Sequence, residues 1–233
     1  MKDSGMIPQS SSLHDAKPQA YHPLVEKYSR QARTYDRRWN RSVGDATLQA
    51  ALEAIPWDSV HRILDVGCGT GLLEESVANN GYHPVTMLGV DLSMDMLRLA
   101  QEKLSQASRV GWINALAESM PFATGSFDAV ICNNSFHYYR NPARVLEEFR
   151  RVIAADGCLV LSDWCNDFPG CKFSQWVLQL VHRTGIHRYA LAHCYELEEC
   201  KKLLQQAGFH VEMARTVGMN LGWGIMVLRA RPQ

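Results

Sequence analysis

The sequence predicts an α/β fold: a doubly wound, seven-stranded sheet, mostly parallel with an antiparallel final strand, plus N-terminal helices and a helical lid insert. Three observations predict it. Short apolar runs alternate with amphipathic helical stretches from His61 to Gln206. Such alternation needs crossover helices on both faces of a parallel sheet. The last two runs, His210 to Val217 and Gly224 to Arg229, have no helix between them and should form an antiparallel hairpin.

The elements follow in order. Residues 1–20 hold Pro8, Ser10-Ser11-Ser12 and Pro18, have little to bury, and read as a disordered tail ahead of one domain spanning 21–233. From Pro23 the pattern is helical, with Val25, Tyr28, Ala32 and Tyr35 at three- and four-residue spacing. A second helix, Val43 to Ile55, is stopped by Pro56. His61 to Val66 is a strand running into glycines. Leu73 and Val77 mark a helix from Gly71 to Asn79. Thr86 to Leu92 is a strand, and Ser93 caps a helix striped by Leu97, Ala100 and Leu104. Val110 to Leu116 and Phe127 to Cys132 are strands. Asn141-Pro142 starts a helix with Val145, Leu146, Phe149, Val152 and Ile153 on one face, and Asp156-Gly157 should end it. Cys158 to Ser162 is the next strand. Residues 164–194 form an insert in which Phe173, Trp176, Val177, Leu180 and Val181 stripe a helix suited either to ordinary packing or to a lid over an apolar ligand. Glu196 to Gln206 is the last helix, ending at Gly208.

Bulk composition narrows the function classes. The 233 residues are 46% hydrophobic and 21% charged, with Lys plus Arg equal to Asp plus Glu. Zero net charge gives no general attraction to nucleic acid or anionic membrane, though it leaves room for a local basic patch. No stretch approaches the roughly 20 apolar residues of a membrane span. The first residues lack an apolar signal core. The seven cysteines are odd in number and form no Cys-x-x-Cys pair, which argues against a disulfide framework or a zinc site. A reducing cytoplasm is the expected setting. His182, His187 and His193 lack metal-ligand spacing, so no metal is expected.

The chemistry concentrates in Asp65-Val66-Gly67-Cys68-Gly69-Thr70-Gly71. Glycines let backbone approach a ligand, and the helix that follows presents N–H groups to an anion. A dinucleotide loop needs Gly-x-Gly-x-x-Gly, whereas its final position here is Leu72; no Lys-Ser or Lys-Thr follows for a phosphate loop. Asp65 would repel a pyrophosphate but suits the ammonium of an amino acid. Asp91, at the end of the next strand, can accept both hydroxyls of a ribose.

Taken together, Ile63 to Gly71 resembles motif I of class I S-adenosylmethionine (SAM) dependent methyltransferases. Gly89-Val90-Asp91-Leu92-Ser93 resembles their acidic second motif. Glu118 to Phe122, Gly125 to Val130, and Ala32-Arg33-Thr34-Tyr35-Asp36 resemble the branch that includes ubiquinone and menaquinone biosynthesis methyltransferases. The resemblance implies a Rossmann-like domain with SAM as cofactor and S-adenosylhomocysteine as product. It implies that Asp65, Gly67 and Gly69 hold the methionyl part, with Gly71 closing the loop. Asp91 would bind ribose and Leu92 pack on adenine. Ala117, beside Glu118, would offer adenine a backbone N–H. Asn133 would lie beside the methionyl part, and Tyr35 would help close the site. Where the family often has Asp before Ala117, this chain has Leu116, which leaves adenine to backbone contacts.

Methyl transfer depends on positioning and needs a base only if the nucleophile arrives protonated. His137 and Asp163, each following a strand, are the candidates for that role, beside the bland reading of His137 as loop packing. The expected enzyme methylates a small, apolar or aromatic molecule at oxygen, carbon or nitrogen. Two alternatives stand beside it: a nucleic-acid or protein methyltransferase using the basic first helix (Lys27, Arg30, Arg33, Arg37, Arg38, Arg41), and a SAM-binding module without catalysis.

Overall fold

The computed structural model describes residues 21–38, 41–80, 85–183 and 193–233. The tail assigned to residues 1–20 and His187 lie outside them. The elements run α1 (His22–Arg38), α2 (Arg41–Ala54), β1 (Arg62–Val66), α3 (Leu72–Asn79), β2 (Thr86–Asp91), α4 (Met94–Lys103), β3 (Val110–Asn114), β4 (Phe127–Asn133), α5 (Pro142–Val152), β5 (Ile153–Trp164), α6 (Pro169–Arg183), α7 (Leu197–Gln206), β6 (Phe209–Gly218) and β7 (Gly224–Pro232).

The seven strands form one sheet in the order β3-β2-β1-β4-β5-β7-β6. The first five pair in parallel, while β7 runs antiparallel to both β5 and β6. Strand order therefore reverses between β1 and β4, and the carboxyl edge there is where such sheets hold ligands. Successive residues of a strand feed opposite cores. On β1, Ile63 joins Ala51, Leu73 and Val77 on one face, while Leu64 joins Leu146 and Phe149 of α5 on the other.

The caps are local and sequence-encoded. Ser93 Oγ accepts from the Met96 N–H, and Asn141 Oδ1 accepts from the Arg144 N–H at 3.2 Å, with Pro142 at the first helical position. At α7, Glu196 and Glu199 form a reciprocal capping box.

Two expectations are corrected. The helix starting at Asn141 ends at Val152, not at Asp156-Gly157; Ile153 already pairs with Phe127, and the ladder shifts register between Phe127 and Ala129. Asp156-Gly157 is thus part of an irregular strand rather than a helix terminator. The second concerns ordinary packing of the insert: Phe173, Trp176 and Leu180 of α6 are 65%, 59% and 49% exposed, so this face of the helix is not packed into the core.

Candidate active site

The loop after β1 is shaped by positive backbone angles at Gly67, Gly69 and Gly71 (φ +79°, +56° and +75°). Such angles cost any other residue about 1–2 kcal/mol. The Gly67 and Cys68 N–H groups donate to Val90 O, which draws the loop onto β2. Close approach is a second constraint: a Cβ at Gly67 would sit 2.5 Å from Ser135 Cβ, and one at Gly71 would sit 2.6 Å from the Trp112 ring.

Asp91 lies at the end of β2. It accepts from the Gly69 N–H at 3.0 Å and from the Ser93 N–H at 2.7 Å, so one carboxylate ties the glycine loop to the start of α4. Burial raises its pKa, and those two N–H groups partly offset the rise.

The cleft at this edge has two chambers that share Tyr35, Gly67, Gly69 and Asn134. Asp91, Leu92, Ala117 and Glu118 line the first, facing Leu24, Val25, Tyr28 and Tyr138. Asp65 and Asn133 line the second, with Asp36, Glu75 and Lys103. The sequence candidates Tyr35, Asp65, Gly67, Gly69, Asp91, Leu92, Ala117, Glu118 and Asn133 thus meet around one cleft. Gly71 lines neither chamber and acts through the shape of the loop.

The second chamber suits an amino acid. Asp65 Oδ1 and Asn134 Oδ1 are buried there without a hydrogen-bond partner among the described residues. Burial, then the nearby Glu74 and Asp91 carboxylates, hold the Asp65 pKa well above its usual range. An arriving ammonium would relieve that cost. Asn133 is already engaged, its Oδ1 accepting from Ser162 Oγ at 2.6 Å.

Helix α1 forms one wall of the cleft and is fastened at both ends. Tyr21 Oη donates to Glu118 and accepts from the Arg140 N–H at 3.1 Å. At the other end Asp36 accepts from Thr70 Oγ1 at 2.6 Å and from Lys103 Nζ at 3.0 Å. Between them Tyr28 stands edge-on to Tyr35 and Tyr138, at centroid distances of 5.8 and 5.6 Å.

His137 and Asp163 form a buried pair, with Nδ1 and Oδ1 2.7 Å apart. Asp163 also accepts from the His137 and Trp164 backbone N–H groups at 3.0 and 2.7 Å, so it holds both loop and ring. Burial disfavours the imidazolium, but the Asp163 charge and hydrogen bond outweigh it, with Tyr138 adding, and push the pKa to about 9. Neither residue lines the cleft. Tyr138 does, and its ring lies 4.0 Å from the imidazole.

Sequence reasoning missed Tyr21, Ser135 and Tyr138 as site residues and read Tyr28 only as helix packing. A signal existed in the aromatic run Phe136-His137-Tyr138-Tyr139 directly after a strand that ends at the cleft.

Several known proteins are similar to this chain in sequence and in fold. Residues 64–161 match a family model described as a methyltransferase domain. A ubiquinone biosynthesis O-methyltransferase of Aromatoleum aromaticum is 30% identical over 165 residues, covering 68% of this chain and 67% of that protein. A malonyl-[acyl-carrier protein] O-methyltransferase of Legionella pneumophila is 37% identical over 101 residues, 43% of this chain. The UbiE C-methyltransferase of Geotalea uraniireducens is 33% identical over 132 residues, 55% of this chain. The matched stretch spans only 35% and 53% of those two relatives' own lengths. Among solved structures, the 1,6-didemethyltoxoflavin-N1-methyltransferase of Burkholderia thailandensis superposes with a TM-score of 0.70, covering 97% of this chain and 94% of that one at 19% identity. The relatives define the class of SAM-dependent methyltransferases. The chain belongs to the class I family of these proteins, in the branch of the ubiquinone and menaquinone biosynthesis methyltransferases.

Proposed function

We propose that this chain transfers a methyl group from SAM to a small, apolar or aromatic acceptor, at oxygen, carbon or nitrogen. The observation that carries the reading is the composition of the cleft: Asp91 and the glycine loop on one side, and Leu24, Val25, Tyr28, Tyr35 and Tyr138 on the other. SAM supplies an activated methyl on a sulfonium centre. Asp91 offers its carboxylate to the ribose, Asp65 meets the ammonium, Leu92 packs on the adenine and Ala117 offers it a backbone N–H. The tyrosine wall excludes water and presents flat, weakly polar surface to the acceptor. The names of the relatives, which include quinone methyltransferases, support an acceptor of that kind.

His137 and Asp163 act from behind Tyr138. With its pKa near 9, the imidazole is protonated at neutral pH and holds Tyr138 there rather than taking a proton. It becomes a base only as pH rises toward 9. The expected rate therefore climbs with pH and levels off near that value.

Calorimetry with SAM and S-adenosylhomocysteine, followed by transfer of labelled methyl to a panel of phenols, quinols, indoles and nitrogen heteroaromatics, tests the reading. Absence of cofactor binding would sink it. Binding without transfer to any acceptor would point to a non-catalytic module, and salt-sensitive retention of RNA or DNA to a nucleic-acid methyltransferase. A cytoplasmic setting accords with this reading.

A further inference from the structure

The seven cysteines differ in surroundings. Six are buried, and Cys194 is half-buried. Burial holds the Cys68, Cys132, Cys158, Cys165 and Cys200 thiols above their ordinary range, which keeps them protonated and inert at neutral pH. The other two meet thiol to thiol. Donation from the Cys194 S–H outweighs burial at Cys171 and lowers its pKa to about 7, while the same contact, and then burial, raises Cys194. Cys171 is therefore partly ionised near neutrality, and it lies against the one cysteine that solvent reaches.

Contacts on both flanks hold this junction in place. Cys171 Sγ donates to Gly224 O at 3.5 Å, and the same carbonyl accepts from the Cys165 N–H at 3.0 Å. One residue on, the Asn166 N–H donates to Tyr195 O at 2.8 Å. The stretch after β5 is thus bonded both beside Cys171 and beside Cys194. Lys172 Nζ lies 3.6 Å from Glu196 Oε1 and spans the same gap. The junction also reaches the cleft wall. The His193 N–H donates to His137 O at 2.9 Å, and the Tyr195 ring lies 5.2 Å from that of Phe136. His137 in turn backs Tyr138, which lines the first chamber.

We propose that Cys171 and Cys194 form a reversible oxidation site, at which a hydroperoxide converts the dithiol to a disulfide. The Cys171 thiolate attacks a peroxide oxygen and the O–O bond breaks. Cys171 becomes a sulfenic acid, and the other oxygen leaves as hydroxide, which takes up a proton. The Cys194 sulfur then displaces the sulfenic oxygen, which departs as water with the Cys194 proton. The dithiol is oxidised by the electron pair that reduces the peroxide to water. A small thiol reductant restores both cysteines, so in a reducing cytoplasm the bond is a transient one. It joins α6 to the segment at His193–Tyr195, and so ties the turn of His137 and Tyr138 to the redox state. The bearing of that turn on a methyl acceptor rests on the proposed function; the oxidation itself does not.

The test treats the pre-reduced full chain with about one equivalent of hydrogen peroxide. Two of the seven thiols should disappear on titration in denaturant, with a mass loss of about 2 Da in the monomer. Peptide mapping should join Cys171 to Cys194, and dithiothreitol should return both thiols. Amide hydrogen exchange at residues 136–138 and 193–195 should be slower in the oxidised protein than in the reduced one. In Cys194→Ser, whose unfolding temperature should match wild type, peroxide should leave a sulfenic acid on Cys171 that dimedone traps, and no disulfide. Persistence of all seven thiols, a bond to any other cysteine, or a bond only between two copies of the chain overturns the proposal. Unchanged exchange in both stretches overturns the tie to the His137 turn. Every one of these readouts is made without SAM, so failure of the cofactor reading would leave them standing.

Discussion

The two sides of the cleft are built by different means. On the proposed cofactor side, after β1 and β2, the wall is glycine backbone tied to the Asp91 carboxylate, with Asp65 in the second chamber. On the proposed acceptor side, after β4 and β5, the cleft is made of side chains set by partners distant in sequence, as Tyr138 is backed by His137 and Asp163 from outside the cleft. A backbone-built surface holds a ligand common to a whole family, while a side-chain-built surface can change its ligand by substitution. The cofactor is accordingly readable from this chain and the acceptor is a matter for proposal.

The sharpest way to break that division is Gly67→Ala, where the two sides touch. Its Cβ would fall 2.5 Å from Ser135 while the backbone angle stays unfavourable, and affinity for S-adenosylhomocysteine is expected to fall more than about a hundredfold by calorimetry. Asp91→Asn comes next: it keeps the shape but weakens the bond to the Gly69 N–H and the ribose contact, for about thirtyfold. A loss at Asp91 smaller than that at Asp163 would invert the comparison.

On the acceptor side, Asp163→Asn should leave cofactor affinity within about twofold. It should lower the plateau methyl-transfer rate reached at high pH about tenfold, through lost positioning of the ring, and move the rise of the pH–rate profile from near 9 toward the ordinary histidine value. The same pair affects stability. The folded pKa of His137 lies above its unfolded value of about 6.5, so its contribution is full below that value and is lost as pH rises through about 9. Chemical denaturation across that window should show wild type losing stability and Asp163→Asn changing less. The smallest effect is expected from Gly69→Ala. Nothing lies within 4 Å of the added carbon, so only the backbone angle is strained, and binding should weaken about fivefold.

What was legible in the sequence follows the same line. The strands, the caps at Ser93 and Asn141 and the glycine loop are encoded by near neighbours, through period, side-chain chemistry and positive backbone angles. The start of β5 was not. Ile153 continues the apolar stripe of α5 and Asp156-Gly157 resembles a helix stop, yet pairing with Phe127 decides the matter. Helices α5 and α6 carry the same amphipathic signal and differ in outcome: Phe149 is fully buried and Trp176 is 59% exposed. Periodicity says which face is apolar, not what will cover it. The wall of Tyr28, Tyr35 and Tyr138 was hidden for a related reason, since α1 and the turn after β4 meet only in the folded chain.

Helix α1 turns Leu24, Val25, Tyr28 and Tyr35 toward the cleft, with Tyr21 just before it. In the proposed function that underside is completed by a small molecule. Ligand affinity and helix docking are one reciprocal quantity: each tenfold in affinity that α1 adds, about 1.4 kcal/mol, is returned as order in α1. Protease resistance of the first helix thus becomes a gauge of cofactor concentration.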